Sequence, residues 1–179
     1  GTFSLCMSDE VDYDYKEGAE ELVHDHGCYP EAAYTNLLAT ADRSQGDCWS
    51  GIVNKNVWFK FQALETDVNV KIKTGSVYGY MRRPQVALWD ELDNQMSCTK
   101  WTTDYQTITM QSDGLTIGDW YYISVDDDRT SSGFSLCISD SLDYDYRAGA
   151  IELTDINNYC SNDAEFSNLS ATDDQNMGS

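Results

Sequence analysis

The stretch DVNVKIKT (residues 67–74) alternates apolar and polar side chains without interruption, so that its two valines and its isoleucine share one face. A period of two is typical of a β-strand that has one buried face and one wet face. The segments DWYYISVD (119–126) and GFSLCIS (133–139) alternate in the same way. These three segments therefore predict strands that contribute to a common core.

Four further apolar segments have the length of a strand and lie between turn signals such as Asp113-Gly114. They are NVWFKFQA (56–63), QVALWDEL (85–92), QMSCTKW (95–101) and QTITMQS (106–112). No segment keeps an apolar period of 3.6 over three turns, and residues 16–23 favour a strand or loop over a single helical turn. The chain is therefore predicted to be all-β, an antiparallel sandwich or barrel of about eight strands.

The charge balance excludes several kinds of partner. Eleven Lys and Arg residues face 31 Asp and Glu residues, which gives a formal net charge of −20 at pH 7. Nucleic acids and anionic membranes both attract basic surfaces, so neither is an expected partner. No apolar run approaches the ~20 residues that span a bilayer, so membrane insertion is not expected either. The acidic surface is either simply solvated or meets divalent cations.

Two copies of one motif lie near the two ends of the chain. Residues 3–22 (FSLCMSDEVDYDYKEGAEEL) and 134–153 (FSLCISDSLDYDYRAGAIEL) are identical at 14 of 20 positions, with an offset of 131 residues. The similarity continues from AYTNLLATAD (33–42) to EFSNLSATDD (165–174), with an offset of 132. A fixed period of this kind indicates a tandem-repeat protein.

The offset divides the chain into one complete repeat and parts of two neighbours. Residues 1–10 correspond to the end of a preceding repeat, residues 11–140 to a complete β-sandwich repeat, and residues 141–179 to the start of a following repeat. Repeats that stack in this way contact mainly their neighbours. Neighbouring repeats of the same chain are therefore the first expected partners.

The chain contains six cysteines, none of them in a C-x-x-C pair: Cys6, Cys28, Cys48, Cys98, Cys137 and Cys160. An even number in an acidic β-rich chain predicts disulfides and an extracellular, oxidising compartment. A scheme within the repeat consists of Cys28–Cys48 and Cys98–Cys137. A junction scheme consists of Cys6–Cys28, Cys137–Cys160 and, inside the repeat, Cys48–Cys98. The junction scheme is favoured because it uses all six, but spacing alone leaves both open.

The order of several motifs resembles a known family. NVWFKFQA, VALWDE, GLTIGDWYYISVDD and GFSLCISD together resemble the bacterial pre-peptidase-like β-sandwich over residues 28–140. The order DYDYKEGAEEL, ATAD, CW and NVWFKFQA is similar to tandem repeats in giant cell-surface proteins of Bacteroidetes, which include gliding-motility adhesins exported by type IX secretion. The resemblance implies a non-catalytic, jelly-roll-like sandwich that tolerates calcium and repeats along a filament on the bacterial cell surface.

Acidic residues are concentrated near the predicted junctions and in one later loop. Calcium takes six to eight oxygen ligands, so several segments would have to supply them. The candidate ligands are Asp9, Asp12, Asp14, Asp126, Asp127, Asp128, Asp140, Asp143 and Asp145. Alternation with Val11, Tyr13 and Tyr15 fits an ordinary half-buried strand equally well. Calcium is the one cofactor that the sequence suggests.

Several aromatic residues fall outside the predicted core. Trp58, Trp89, Trp120 and Tyr122 are out of phase with the core positions of their strands, whereas Tyr78, Tyr80, Trp101 and Tyr105 lie in or near loops. Exposed rings in a sandwich can bind sugars, and the candidate ligand contacts are Trp89, Trp101, Tyr78 and Tyr80. The alternative is that these rings lie at the rims of the sandwich and between repeats, where amphipathic rings fit well.

Motifs for catalysis are not found in the sequence. It contains no G-x-S-x-G nucleophile motif and no phosphate-binding glycine loop, so no enzymatic activity is expected. The predicted function is a structural and adhesive repeat of a long extracellular filament that serves attachment or gliding motility. Its contacts with a substratum or a polysaccharide would be weak and multiplied by copy number. The alternative is a carbohydrate-binding module of a secreted enzyme.

Overall fold

The computed structural model describes residues 11–22, 29, 33–74, 80–139 and 160. Within this part the chain forms a short 3₁₀ helix (Lys16–Gly18) and nine strands. The strands are β1 (Glu20–Glu21), β2 (Tyr34–Thr35), β3 (Val57–Gln62), β4 (Asp67–Thr74), β5 (Pro84–Trp89), β6 (Gln95–Lys100), β7 (Ile108–Asp113), β8 (Trp120–Asp127) and β9 (Gly133–Ser139). A helix with the length and apolarity required to cross a membrane is not found among these residues.

The strands form two sheets that pack face to face. The five-stranded sheet has the order β1-β3-β8-β5-β6, and the four-stranded sheet has the order β2-β9-β4-β7. Only β1 and β3 run parallel; the other pairs are antiparallel. From β2 to β9 the chain changes sheet at every connection except the β5–β6 hairpin. This is the strand order of a jelly roll, which confirms the predicted sandwich.

The inner core lies between the two sheets and consists of the side chains that the period of two selects. Val68, Val70 and Ile72 are fully buried, and their partners in the register include Ile138 and Leu136 of β9. Full burial of one such side chain contributes about 1.5–3 kcal/mol. The alternation of apolar and polar residues in β4, β8 and β9 therefore determines which side chains are buried between the two sheets.

The strand boundaries differ from the predicted ones mainly at the end of β5. The prediction extended this strand to Leu92, but the strand ends at Trp89 and Leu92 is 82% exposed. The Asp90 carboxylate accepts hydrogen bonds from the backbone N–H groups of Leu92 and Asn94, which fixes a turn there. The strands β1 and β2, of two residues each, are too short to show a period, and residues 16–23 contain both a helical turn and β1.

Of the predicted repeat boundaries, the one at 10/11 lies at the edge of the described residues, and the one at 140/141 lies wholly outside them. Described residues from 11 to 139 contribute to the same two sheets and their coverings. They contain one continuous inner core, as expected for a single repeat.

The disulfides of the structure agree with neither pairing scheme completely. Cys48 and Cys98 are joined, with Cα atoms 6.1 Å apart, so the Cys28–Cys48 and Cys98–Cys137 pairs are wrong. The junction scheme contains the correct pair, but its Cys137–Cys160 bond is also wrong, because Cys160 is free and exposed. Cys137 is disulfide-bonded to a partner outside the described residues, where Cys6 and Cys28 lie.

Candidate functional site

The outer face of the five-stranded sheet is covered rather than wet. Trp58 and Trp89, expected to be exposed, are 1% and 6% exposed. Their rings lie 6.4 Å apart and pack with Trp49, Ala19 and Ala87 in an outer cluster. Both rings are covered because two segments that contain little strand structure lie across this face. They are the leading segment (residues 11–22) and the covering segment (residues 39–56).

Lys16 anchors the leading segment on the sheet. Its side chain is 7% exposed, and its Nζ donates to the backbone oxygens of Asp90 and Glu91 and to the carboxylate of Asp93. The same Nζ lies 4.3 Å from the centre of the Tyr122 ring. A buried ammonium group requires partners of this kind, because desolvation without them costs several kcal/mol.

Hydrogen bonds between the leading and covering segments use residues that recur in the second copy. Asp14 is buried, and its carboxylate accepts from the Thr40 backbone N–H at 2.7 Å and from the Thr40 hydroxyl at 2.8 Å. Asp42 accepts from the backbone N–H of Lys16 at 2.9 Å. The corresponding residues of the following repeat are Asp145, Thr172, Asp174 and Arg147. The strongest sequence similarity between the copies therefore coincides with the residues that hold the leading segment.

A cavity of about 250 Å³ opens beside the outer cluster and is lined by Arg43, Ser44, Trp58, Trp89 and Asp93. Arg43 and Asp93 face each other across its rim at 3.3 Å, and both have positive φ angles, of 61° and 65°. The Trp89 indole N–H donates to the Ser124 hydroxyl, whereas the buried Trp58 N–H has no partner in the described part of the chain. The cavity offers donors and acceptors to a small polar molecule.

One end of the sandwich, termed the proximal end, consists of the loops at residues 36–38, 50–56, 80–83, 101–107 and 128–132. Hydrogen bonds connect these loops: Asp128 donates its N–H to the Arg83 carbonyl, and Tyr105 donates to the Arg82 carbonyl. Arg82 and Arg83 both bind the Asp104 carboxylate at 2.8 Å, which lowers the pKa of Asp104. The proximal end is therefore a connected, charged surface.

Aromatic residues at the proximal end have two different environments. The guanidinium group of Arg83 lies 4.2 Å from the Trp101 ring centre, so one face of this candidate ligand contact is already occupied. Tyr80 is more than half exposed and meets the equally exposed Tyr105 edge to face at 6.5 Å. Of the predicted ligand contacts, Trp89 is buried, Trp101 is covered, Tyr80 is open, and Tyr78 lies outside the described residues.

Two of the predicted calcium ligands, Asp126 and Asp127, hold loops through hydrogen bonds to backbone N–H groups. Asp126 accepts from the backbone N–H groups of Asn54 and Asp127, and burial raises the pKa of Asp126 to about 6. Asp127 accepts from the backbone N–H groups of Arg83, Arg129 and Thr130.

No group of three or more His, Cys, Asp or Glu side chains able to hold a metal ion occurs in the described ranges, which include the candidates Asp12, Asp14 and Asp128. The remaining calcium candidates lie outside those ranges: Asp9, Asp140, Asp143 and Asp145.

The opposite end, termed the distal end, consists of the loops at residues 63–66, 90–94 and 114–119. Ala63 and Asp119 are hydrogen-bonded through their backbones, as are Leu115 and Thr66. A cavity of about 210 Å³ joins the second and third of these loops. The last strand, β9, ends here at Ser139.

The chain enters and leaves the sandwich at opposite ends. Tyr13 accepts a hydrogen bond from the N–H of Trp58 at the start of β3, which is at the proximal end. The strand β9 starts at the same end, where Phe134 packs against Phe59, and then runs the length of the sandwich to Ser139. Seven residues in extended conformation span roughly 20 Å. Residues 13 and 139 therefore lie near opposite ends of the sandwich.

Comparison with protein-family models and with curated proteins finds no match to this sequence. The residues that the sequence did not single out are Lys16, Arg43 and Asp93, which connect the leading segment, the covering segment and the β5–β6 turn. The recurrence of Lys16 as Arg147 was a signal that a cation is needed at this position.

Proposed function

We propose that this chain carries one complete repeat, with parts of its neighbours, of a non-catalytic extracellular filament with a structural and adhesive role. The observation that carries the proposal is the position of the two junctions at opposite ends of one sandwich. Head-to-tail contacts between units joined at opposite ends produce an extended array unless the rotation between units closes a ring.

The spacing between repeats supports a stiff array. Ser139, the last residue of β9, corresponds to Ser8, and Val11 is already packed against the inner core of the next unit. Only Asp9 and Glu10 lie between these positions, and the three Cα–Cα steps from residue 8 to residue 11 span at most about 11 Å. Successive sandwiches are therefore in contact or nearly so, which leaves little freedom to bend.

The compartment and the adhesive role are proposed from the cysteines, the charge and the family resemblance. The Cys48–Cys98 disulfide suits an oxidising, extracellular location. The net charge of −20 keeps a long filament solvated and prevents it from self-associating. By resemblance to the gliding adhesins, the filament is proposed to stand on the bacterial cell surface and to contact a substratum or polysaccharide during attachment or gliding.

Calcium belongs to this proposal only at the junction, where Asp12 lies close in sequence to the two linking residues. A cation there would remove the remaining freedom to bend and would stabilise the folded state by mass action. Thermal melting of the chain with millimolar calcium and with a chelator tests this idea. A rise in the melting temperature that Asp143→Asn abolishes supports the site, and identical melts remove calcium from the proposal.

Lengthening the chain tests the array itself. The chain extended by one and by two additional copies of residues 11–141 keeps the natural register, because this range is one period of 131 residues. Small-angle X-ray scattering should show the maximum dimension growing by a constant increment of at least about 25 Å per copy, the length of an eight-residue strand. A maximum dimension that stays nearly constant as copies are added would contradict the array.

Location is tested separately with antibodies raised against the folded repeat. They should label intact cells of the source organism and, when added before contact with a surface, should reduce attachment. Labelling that appears only after the cells are lysed would contradict the extracellular proposal.

A carbohydrate-binding module is the second candidate, and the cavity beside the outer cluster favours it. Its volume of about 250 Å³ lies just below the roughly 300–1,000 Å³ of drug-sized sites, so it fits a single sugar ring. Titration of the chain with monosaccharides, followed by NMR, tests this function. Saturable binding that Arg43→Ala removes and the exposed-surface control Lys71→Ala retains would favour the module.

A further inference from the structure

Exposed apolar side chains are concentrated at the two ends of the sandwich. Ten large hydrophobic residues are exposed in the described part, and eight of them lie in end loops. Those at the proximal end are Leu37, Leu38, Ile52, Tyr80 and Tyr105, and those at the distal end are Leu64, Leu92 and Ile117. The other two, Tyr15 and Met96, lie outside the end loops. The ends are therefore the described surfaces that gain most from being covered.

The two ends also carry opposite charge. The described proximal loops contain four basic residues (Lys55, Arg82, Arg83 and Arg129) and two acidic ones (Asp104 and Asp128). The distal loops contain five acidic residues and no basic one: Glu65, Asp90, Glu91, Asp93 and Asp119. Lys16 and Arg43 reach this end from other segments and pair with Asp93, so four of the five carboxylates are left without an ion pair to them. In a chain with a net charge of −20, a locally basic end is a departure from the average surface. Opposite charges on facing surfaces steer association and set its register.

We propose that the distal end of each repeat docks on the proximal end of the next repeat, with apolar loop tips at the centre and complementary charges around them. This inference rests on the proposed array and adds the interface that makes it rigid. The exposed Arg82 and Arg129 contribute the basic rim, and the exposed Glu91 and Asp119 contribute the acidic rim of the neighbour. The occupant of each end is therefore a second copy of the same repeat.

The covalent connection explains why such a contact suffices without a large interface. Two linking residues hold the ends at an effective concentration in the millimolar range or above, so a contact that is weak between separate chains is populated within one chain. Rim charges fix the rotation of one unit relative to the next, because a wrong rotation places like charges together. The filament is then a polar rod with a defined twist per repeat.

A charge-reversal experiment on the chain with two additional copies of residues 11–141 tests the interface. Electron microscopy of negatively stained molecules gives the distribution of bend angles between successive sandwiches. Arg82→Glu with Arg129→Glu in every repeat should broaden this distribution at least about twofold. Adding Glu91→Lys and Asp119→Lys, which exchanges the charges of the two ends, should make it narrow again.

The matched control is Lys71→Glu with Lys73→Glu, which changes the charge equally on the outer face of β4. It should leave the bend angles unchanged, and melting of the 179-residue chain carrying each pair of substitutions checks that the repeat itself stays folded. Straight molecules in the Arg82/Arg129 variant would overturn the docking interface while leaving the array intact. Wild-type molecules that are compact instead of extended would contradict the array itself.

Discussion

The inner core and the outer cluster are built on the two faces of the same five-stranded sheet, yet by different means. In β3, Phe59 points between the sheets and Trp58 points outward, and both are almost completely buried. The inner core is closed by a second sheet with the same period of two. The outer cluster is closed by irregular segments held by a disulfide, ion pairs and buried hydrogen bonds. Periodic strands define the fold, and specific polar contacts attach the leading and covering segments to it.

The largest expected effect comes from breaking the inner core. The ring of Phe59 contacts those of Tyr13, Tyr34 and Phe134, with centres 4.7–6.0 Å apart. Phe59→Ala should therefore lower the free energy of unfolding by about 3–5 kcal/mol. Urea denaturation followed by circular dichroism measures the loss. The outward neighbour gives the comparison: Trp58→Phe keeps most of the apolar contact and should cost clearly less.

Removing the disulfide separates the covering segment from the sheet. Cys48 and Cys98 are 50 residues apart in sequence, and replacing both with serine should lower stability by about 2–4 kcal/mol. The loss should appear as hydrogen exchange in residues 39–56 before the strands of the inner core are affected. Cys160→Ser is the matched control, because Cys160 is free and exposed. Equal losses of protection in both regions would show that the two parts unfold together.

Asp14 tests the attachment of the leading segment. Its carboxylate accepts two hydrogen bonds from Thr40, so Asp14→Ala leaves a backbone N–H unsatisfied and should cost about 1–3 kcal/mol. The exposed Asp12, two residues earlier, provides the control, and Asp12→Ala should be almost neutral. Thermal melting of both variants in the presence of a chelator measures this difference without any contribution from calcium. Similar losses in the two variants would contradict the structural role of Asp14.

The smallest expected effect is a pH dependence caused by Asp126. Burial raises its pKa to about 6, above the ~3.9 of an unfolded chain. The folded state therefore binds the proton more tightly, so ionisation destabilises the protein above pH ~6 and this cost disappears toward pH ~4.

From about pH 7.5 to about pH 5, the wild type should gain about 1 kcal/mol more stability than Asp126→Asn, which carries no charge at either pH. Urea denaturation at the two pH values measures the difference. The exposed Asp113→Asn should follow the wild type. Equal gains in the wild type and in Asp126→Asn would contradict the raised pKa.

The sequence predicts the inner core well because a local signal encodes it. The alternation around Val70 specifies both the strand and its buried face, and no distant residue is needed to read it. The outer cluster has no such signal. Trp58 and Trp89 are out of phase with the inner core, and only the fold shows that a segment without periodicity covers them.

The candidate site residues also lack a local sequence signal, because their partners are distant in the chain. Asp14 alternates with two tyrosines and could be read as a strand or a calcium ligand, but its partner Thr40 is 26 residues away. The Cys48–Cys98 pair was one of several that spacing allowed. The opposite charges of the two ends could not be seen either, because the loops that form each end are dispersed along the chain and only the jelly-roll order brings them together.

The placement of the two junctions has a mechanical consequence. When a filament of these repeats is pulled, force enters near Tyr13 and leaves at Ser139, so the load runs parallel to the strands. The hydrogen bonds between β9 and β4 are then loaded together in shear instead of being peeled apart one at a time. In addition, the crosslink between Cys48 and Cys98 prevents the 50-residue stretch that contains β3, β4 and β5 from extending. In the proposed filament, tension would therefore run parallel to the strands of each sandwich.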